Sequence, residues 1–144
     1  MLIDNHGRVI NYLRLAVTDR CNLRCNYCMP AEGINFAKKE QLLTTDELKS
    51  VTEVLVGMGI DKIRLTGGEP FVRKDIMELF RFLSELDGLK DISVTTNATL
   101  IGQHISEMKS LGIKNVNVSL DAIDKLTFKK ITRRDNYEVV MENL

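Results

Sequence analysis

Apolar and polar residues alternate in four short stretches of the chain, and between them apolar residues recur every three or four positions. The first alternation covers residues 12–18, with Leu13, Leu15 and Val17 on one face and Arg14, Ala16 and Thr18 on the other. It returns at 62–66 (Ile63 and Leu65 against Arg64 and Thr66) and at 91–95 (Ile92 and Val94 against Ser93 and Thr95). A fourth run lies at 114–120, with Val116 and Val118 opposed to Asn115, Asn117 and Ser119. Side chains alternate across a strand with period two, so each run predicts a strand with one apolar and one polar face. Helical periodicity fills the gaps. Thr44-Thr45-Asp46-Glu47 forms a capping box, in which Thr44 takes the amide of Glu47 and Glu47 reaches back. It opens a helix with an expected core stripe of Leu48, Val51, Leu55 and Met58, stopped by Gly57 and Gly59. Residues 75–86 predict a second helix, with Ile76, Leu79, Phe80, Leu83 and Leu86 on one side. Ile105, Met108 and Leu111 mark a third, and 124–131 and 136–144 predict two more.

Strand–helix–strand units repeated in this way predict parallel strands joined by right-handed crossovers. Parallel strands covered on both faces read as continuous apolar runs, and these do not. Helices can cover only the apolar face, so the polar face must look into water or onto a ligand. A barrel with a polar lumen meets that condition, whereas an open antiparallel sheet would be joined by hairpins. The expected fold class is α/β: a partial (β/α) barrel of the TIM-barrel type, with about four βα units. Closure commonly takes eight strands. Four leave an edge that invites pairing, so the expectation is a longer chain or a partner, with a homodimer among the options. In such barrels the active site sits at the C-terminal ends of the strands. Four polar segments fall there: the loop after the first strand, Gly67-Gly68-Glu69-Pro70, Thr95-Thr96-Asn97 and Ser119-Leu120-Asp121.

Composition narrows the partners. At 144 residues the chain suits one domain, and a hydrophobic content of 44% supports a core rather than disorder. Lys plus Arg and Asp plus Glu number 20 each, so no global field points to nucleic acid. No apolar run approaches the roughly 20 residues of a membrane span. These features predict a cytoplasmic protein with reduced thiols, binding neither nucleic acid nor membrane. His6 and His104 read as surface residues. Arg24, Arg73, Arg133 and Arg134 have no assigned partner, and Arg133-Arg134 reads as a solvated helix end.

All three cysteines, Cys21, Cys25 and Cys28, fall within eight residues at a C-x3-C-x2-C spacing. Three thiolates on one loop can each take one iron of a 4Fe–4S cluster. With no fourth cysteine, one iron lacks a protein ligand, and such a position is open to substrate. Other readings stand beside this one. A disulfide with a spare thiol would need an oxidising compartment. A zinc site would need a fourth ligand such as His6 or His104, neither at a finger-like spacing. Three inert buried thiols are the remaining alternative.

This stretch resembles the radical S-adenosylmethionine (SAM) superfamily, whose signature is C-x3-C-x2-C. Its flanks are Gly7-Arg8, the run Leu13-Arg14-Leu15-Ala16-Val17-Thr18-Asp19-Arg20, and Met29-Pro30. They are similar to the GTP 3′,8-cyclase family of molybdenum cofactor biosynthesis, and the similarity extends over nearly the whole chain. The resemblance implies that residues 1–144 are the N-terminal portion of a radical SAM core whose chain runs on past Leu144. It implies a lyase that uses SAM and a 4Fe–4S cluster on Cys21, Cys25 and Cys28. The substrate would be GTP and the product (8S)-3′,8-cyclo-7,8-dihydroguanosine 5′-triphosphate, with electrons from a donor such as a flavodoxin or ferredoxin.

By the same resemblance Tyr27, Gly67, Gly68, Glu69 and Ser119 contact SAM, and Arg14, Arg64 and Thr95 bind GTP. No residue here is assigned as a catalytic acid or base. The residues themselves leave alternatives open. The double glycine also suits an ordinary strand-to-helix turn, and Tyr27 an aromatic packed on the rim. The two arginines, costly to bury without an anion, suit a triphosphate or a carboxylate of the chain. Radical chemistry further implies a dry, closed lumen. Some features depart from the family. Its second 4Fe–4S cluster comes from C-terminal cysteines, and no cysteine follows Cys28, so this sequence as it stands is not expected to complete the reaction. Ala98 stands where Gly is usual, and Phe71 where a smaller aliphatic is usual. The competing functions are another radical SAM enzyme, such as a peptide-modifying maturase, and a non-catalytic iron–sulfur or zinc module.

Overall fold

The computed structural model describes residues 1–30 and 32–144. Its centre is a four-stranded sheet of β3 (Tyr12–Ala16), β4 (Lys62–Thr66), β5 (Asp91–Thr96) and β6 (Asn115–Val118), in that spatial order and parallel throughout. A short antiparallel hairpin, β1 (Leu2–Ile3) and β2 (Val9–Ile10), precedes it. The alternation pattern did not predict this hairpin, because two-residue strands carry no period. Its turn is held by the Asp4 carboxylate, which accepts the N–H groups of His6 and Arg8 and the Arg8 guanidinium. The helices are α1 (Thr45–Gly57), α2 (Ile76–Glu85), α3 (Ile105–Ser110), α4 (Lys125–Thr132) and α5 (Tyr137–Glu142).

The strand register lines up the faces that the sequence separates. Leu15, Leu65, Val94 and Val116 form one cross-sheet row, and Arg14, Arg64, Ser93 and Asn115 the adjacent row on the opposite face. Ile63, Leu65 and Val94 are fully buried with Leu48, Leu79, Phe80 and Leu83 of the helices, so the core lies on the apolar face. Burying such side chains stabilises by about 1.5–3 kcal/mol each. The capping box of α1 forms as expected: Glu47 N–H donates to Thr44 Oγ1 at 3.2 Å, and Thr44 N–H to Glu47 Oε2 at 2.7 Å.

The buried stripe of α1 differs from expectation. It runs through Thr45, Leu48, Thr52 and Val56, while Val51 and Met58 are exposed. Thr52 enters the core because its hydroxyl is satisfied within the helix, donating to the carbonyls of Leu48 and Lys49 at 2.9 Å. A hydroxyl paired in this way hides its polarity from a pattern that counts only apolar residues. Gly59, at φ +110°, then ends the helix, its N–H reaching Val56 O while Ile60 N–H reaches Leu55 O.

The polar face is concave and open rather than a closed, dry lumen. Arg14, Ala16, Asn115 and Asn117 are exposed on it, and Arg64, Thr66 and Thr95 half-buried. Among the described residues the four strands turn through only part of a barrel, and no strand faces them from the opposite side. The desolvation argument for the two arginines therefore does not apply in this structure.

Candidate functional site

The site is built where β3 and β4 run out. Their pairing continues past both strands: Val17 N–H donates to Thr66 O (3.0 Å), Gly68 N–H to Thr18 O (2.7 Å) and Glu69 N–H to Arg20 O (2.8 Å). The double glycine exists for this approach. A Cβ on Gly67 would overlap the Thr18 carbonyl oxygen, and one on Gly68 the Arg20 carbonyl oxygen. Gly67 also has φ +135°, which side-chain-bearing residues rarely adopt. The glycines thus admit a neighbouring segment of the same chain, and the Gly68 N–H is used on that segment. What Gly68 can offer a ligand is its carbonyl oxygen.

The cysteine loop is braced from a second side by α4. Arg24 N–H donates to Thr132 O (3.0 Å), Asn26 N–H to Ile131 O (2.9 Å), and the Arg133 guanidinium to Met29 O (2.9 Å). Leu23 and Met29 are buried anchors. The Arg24 guanidinium donates to the carbonyls of Cys21 and Leu23 and lies 5.7 Å from the Phe36 ring centre. Arg24 and Arg133 therefore have structural partners, and Arg133 is not merely a solvated helix end. Its φ of +54° closes α4 and aims its side chain back across the loop.

All three thiols are free; Cys21 and Cys25 are half-buried and Cys28 is exposed. Burial is the main cause pushing the Cys21 and Cys25 thiols above the usual range. At Cys25 the Tyr27 hydroxyl opposes the rise, while the charges of Asp121, Cys21 and Cys28 add to it. Among the described residues no three His, Cys, Asp or Glu side chains converge on one metal ion. Thiolates sharing one tetrahedral zinc sit only about 3.8 Å apart, from Zn–S bonds of about 2.3 Å. Cysteines of an iron–sulfur cube each take a different iron and stand farther apart.

A cavity of about 740 Å³ opens beside the loop. Arg14, Thr95, Gly67, Gly68, Cys21 and Cys28 line it together, with Thr18, Asp19, Met29, Thr66 and an apolar wall that includes Val17, Ile34 and Leu42. The remaining predicted residues lie outside this lining. Arg64 pairs in register with Arg14, yet its Nε donates to Ser93 Oγ at 3.2 Å and its guanidinium lies 5.8 Å from the Tyr12 ring centre. Glu69 is 1% exposed, and its carboxylate accepts from Phe71 N–H (3.1 Å), the Thr96 hydroxyl (2.8 Å) and Asn97 N–H (2.7 Å). Burial raises its pKa against those donors.

Tyr27 is 67% exposed, and its hydroxyl donates to Asp121 Oδ2 at 2.8 Å. Ser119 is exposed, its N–H donated to Thr96 O at 2.8 Å. Two features were missed in the sequence. Asn97 Nδ2 lies 3.7 Å from Cys21 Sγ. Arg73 ties the end of β3 and the start of α1 to its own loop, donating to Val17 O (2.9 Å), Leu43 O (2.9 Å), Thr45 Oγ1 (3.0 Å) and both oxygens of Asp75 (2.8 and 3.2 Å). It lines a second cavity of about 590 Å³ at the start of α1. His104, expected at the surface, is half-buried and stacks on the Phe71 ring, with centroids 5.4 Å apart.

A parallel α/β half-barrel carrying three free thiols on its C-terminal rim defines a class. The chain belongs to the radical SAM superfamily, whose family model matches residues 15–144. It is 51% identical to the GTP 3′,8-cyclase of Peptoclostridium acidaminophilum over 144 residues, all of this chain and 44% of that protein. It is 45% identical to the mitochondrial GTP 3′,8-cyclase of Arabidopsis thaliana, again over this whole chain and 37% of the relative. The chain thus spans less than half the length of these curated relatives. Among solved structures it resembles Streptococcus suis SuiB bound to S-adenosylmethionine, with a TM-score of 0.65 and 23% identity over 84% of this chain and 27% of that one. That likeness is one of fold.

The residues present fit the superfamily's cluster and SAM. The donor set is three free thiols on one loop, the type that iron–sulfur clusters take. The same cavity carries Gly67 and Gly68, and Asp19, whose Oδ1 is a buried acceptor without a partner among the described residues. Its Oδ2 accepts from Ala37 N–H at 2.6 Å. Such acceptors suit a cationic amino group.

Proposed function

We propose that this chain is the cluster- and substrate-binding core of a GTP 3′,8-cyclase, acting in molybdenum cofactor biosynthesis. The observation that carries the reading is the single cavity holding Arg14 and Thr95 beside Cys21, Cys28, Gly67 and Gly68, in a chain 51% identical to such a cyclase. Cys21, Cys25 and Cys28 would hold the 4Fe–4S cluster, and the carbonyls of Gly67 and Gly68 with Asp19 would receive the SAM amino group. When bound, the cluster and SAM would supply the one-electron chemistry that removes a hydrogen from the ribose of GTP, so that the ribose carbon can bond to carbon 8 of the guanine. The chain's own contribution is binding and orientation. The Arg14 guanidinium would pair with phosphate oxygens, and the Thr95 hydroxyl would fix the guest beside the thiols. Val17, Met29, Ile34 and Leu42 shield one side of the cavity from water. In the whole protein an electron donor of the flavodoxin or ferredoxin type and a second, C-terminal cluster would complete the system, with a homodimer as an assembly to test.

Anaerobic reconstitution of the full-length protein tests this. It should give a brown cluster that cleaves SAM to 5′-deoxyadenosine and consumes GTP, and Cys25→Ala should abolish all three. A colourless protein holding one tight zinc would end the proposal.

A further inference from the structure

The surroundings of Cys21 contain a built hydrogen-bond network. Its Sγ accepts the backbone N–H of Leu23 at 3.4 Å and the side-chain amide of Asn97 at 3.7 Å. The Asn97 amide cannot be turned round. Its Oδ1 accepts both the N–H (3.0 Å) and the hydroxyl (2.6 Å) of Thr99, which leaves its NH2 facing Asn22 Oδ1 (2.9 Å) and the Cys21 sulfur. Asn22 Nδ2 closes the ring by donating to Thr99 Oγ1 at 2.6 Å. The backbone of Asn97 is pinned from behind, since its N–H donates to Glu69 Oε2 at 2.7 Å. Asn97 is 8% exposed and Glu69 1%.

We propose that Asn97 is a positioning residue for the iron–sulfur cluster: its amide donates to the Cys21 sulfur and so helps set the cluster's reduction potential, with Thr99 and Glu69 holding it in place. Hydrogen bonds to ligating sulfur are among the levers that set such potentials. Donation draws negative charge off the sulfur, which favours the more negative, reduced state and raises the potential. The network also accounts for the glutamate of Gly-Gly-Glu-Pro: its carboxylate fixes the segment that carries Asn97.

The proposal rests on the three-thiol cluster reading, and its test is the cluster's midpoint in the full-length protein, followed by electron paramagnetic resonance without SAM or GTP. Asn97→Ala should move the midpoint to a more negative potential. Thr99→Val, which touches no sulfur and removes only the hydroxyl that holds the Asn97 and Asn22 side chains while leaving the backbone N–H on Asn97 Oδ1, should move it the same way by less. Normal iron content with an unmoved midpoint in both variants overturns the assignment alone. A protein that takes up no cluster sinks the cluster reading and this assignment with it. Should the variants fail to fold, the unaltered protein decides. With asparagine labelled at its side-chain nitrogen, the reduced cluster should show a magnetic coupling to that nitrogen, and its absence overturns the assignment.

Discussion

Arg14 and Arg64 are in register on adjacent strands, so two like charges share one face. Like charges directly opposite destabilise a sheet. The structure separates them by turning Arg64 to Ser93 and Tyr12, while Arg14 stays exposed at the cavity. Hydrogen bonds to charged groups are worth about 1.5–3 kcal/mol. Arg14→Ala should therefore weaken GTP binding roughly ten- to a hundredfold, by the conversion of about 1.4 kcal/mol per decade. Arg64→Ala should weaken it less, and SAM cleavage should persist in both. Equilibrium dialysis with GTP checks this, and an unchanged affinity in Arg14→Ala removes Arg14 from the substrate site.

Ala98 shows why another departure from the family pattern is tolerated. It adopts φ +61° and is fully buried. The left-handed backbone costs a non-glycine residue about 1–2 kcal/mol. Against that, a buried methyl contributes about 0.8 kcal/mol, and alanine loses less chain entropy than glycine, by about 0.4–1 kcal/mol. The terms nearly cancel.

At the scale of the elements, the rim is held by main-chain pairing that outlasts the strands. Gly68 is the tightest point, since a Cβ there meets both the Asp19 and Arg20 carbonyls. Gly68→Ala should force the two loops apart, disturbing the Gly68 and Glu69 hydrogen bonds and costing about 1–3 kcal/mol, the usual range for overpacking. Thermal unfolding would show the loss, and reconstituted iron content should fall with it because the cysteine loop loses its brace. An unchanged melting temperature together with full iron content would contradict the packing role. The α4 brace makes the same point: a helix about 100 residues downstream shapes the cysteine loop through Thr132, Ile131 and Arg133.

For the molecule as a whole, acid stability follows from its carboxylates. At Asp75 burial pushes the pKa up, but hydrogen bonds from Thr45 and Arg73 outweigh it and the net shift is downward. A depressed folded pKa gives stability that is present above the unfolded value, about pH 4, and lost as pH falls through the folded one. Asp4, Glu47, Asp61, Asp124, Asp135 and Glu138 shift the same way. Glu69 shifts upward and opposes them. Stability measured by urea unfolding should thus decline below about pH 4, and Asp75→Asn should flatten part of that decline. A variant curve parallel to the unaltered one would exclude Asp75. No helix among the described residues is long and apolar enough to cross a membrane. The sheet has two outer strands, β3 and β6, and its polar face stays open.

The sequence alone determined the sheet, its parallel sense, the two faces and the cysteine spacing, because period-two and capping signals act over a few residues and need no distant partner. It also determined the α2 face and the rim on which the polar segments meet. Only the tertiary structure decided that Thr52 is core, that the double glycine admits the chain's own loop, and that Glu69, Asn97 and Arg73 hold the rim together. Each of those roles depends on a hydrogen bond or close approach between residues far apart in the chain, and neither composition nor periodicity encodes which distant atoms will meet.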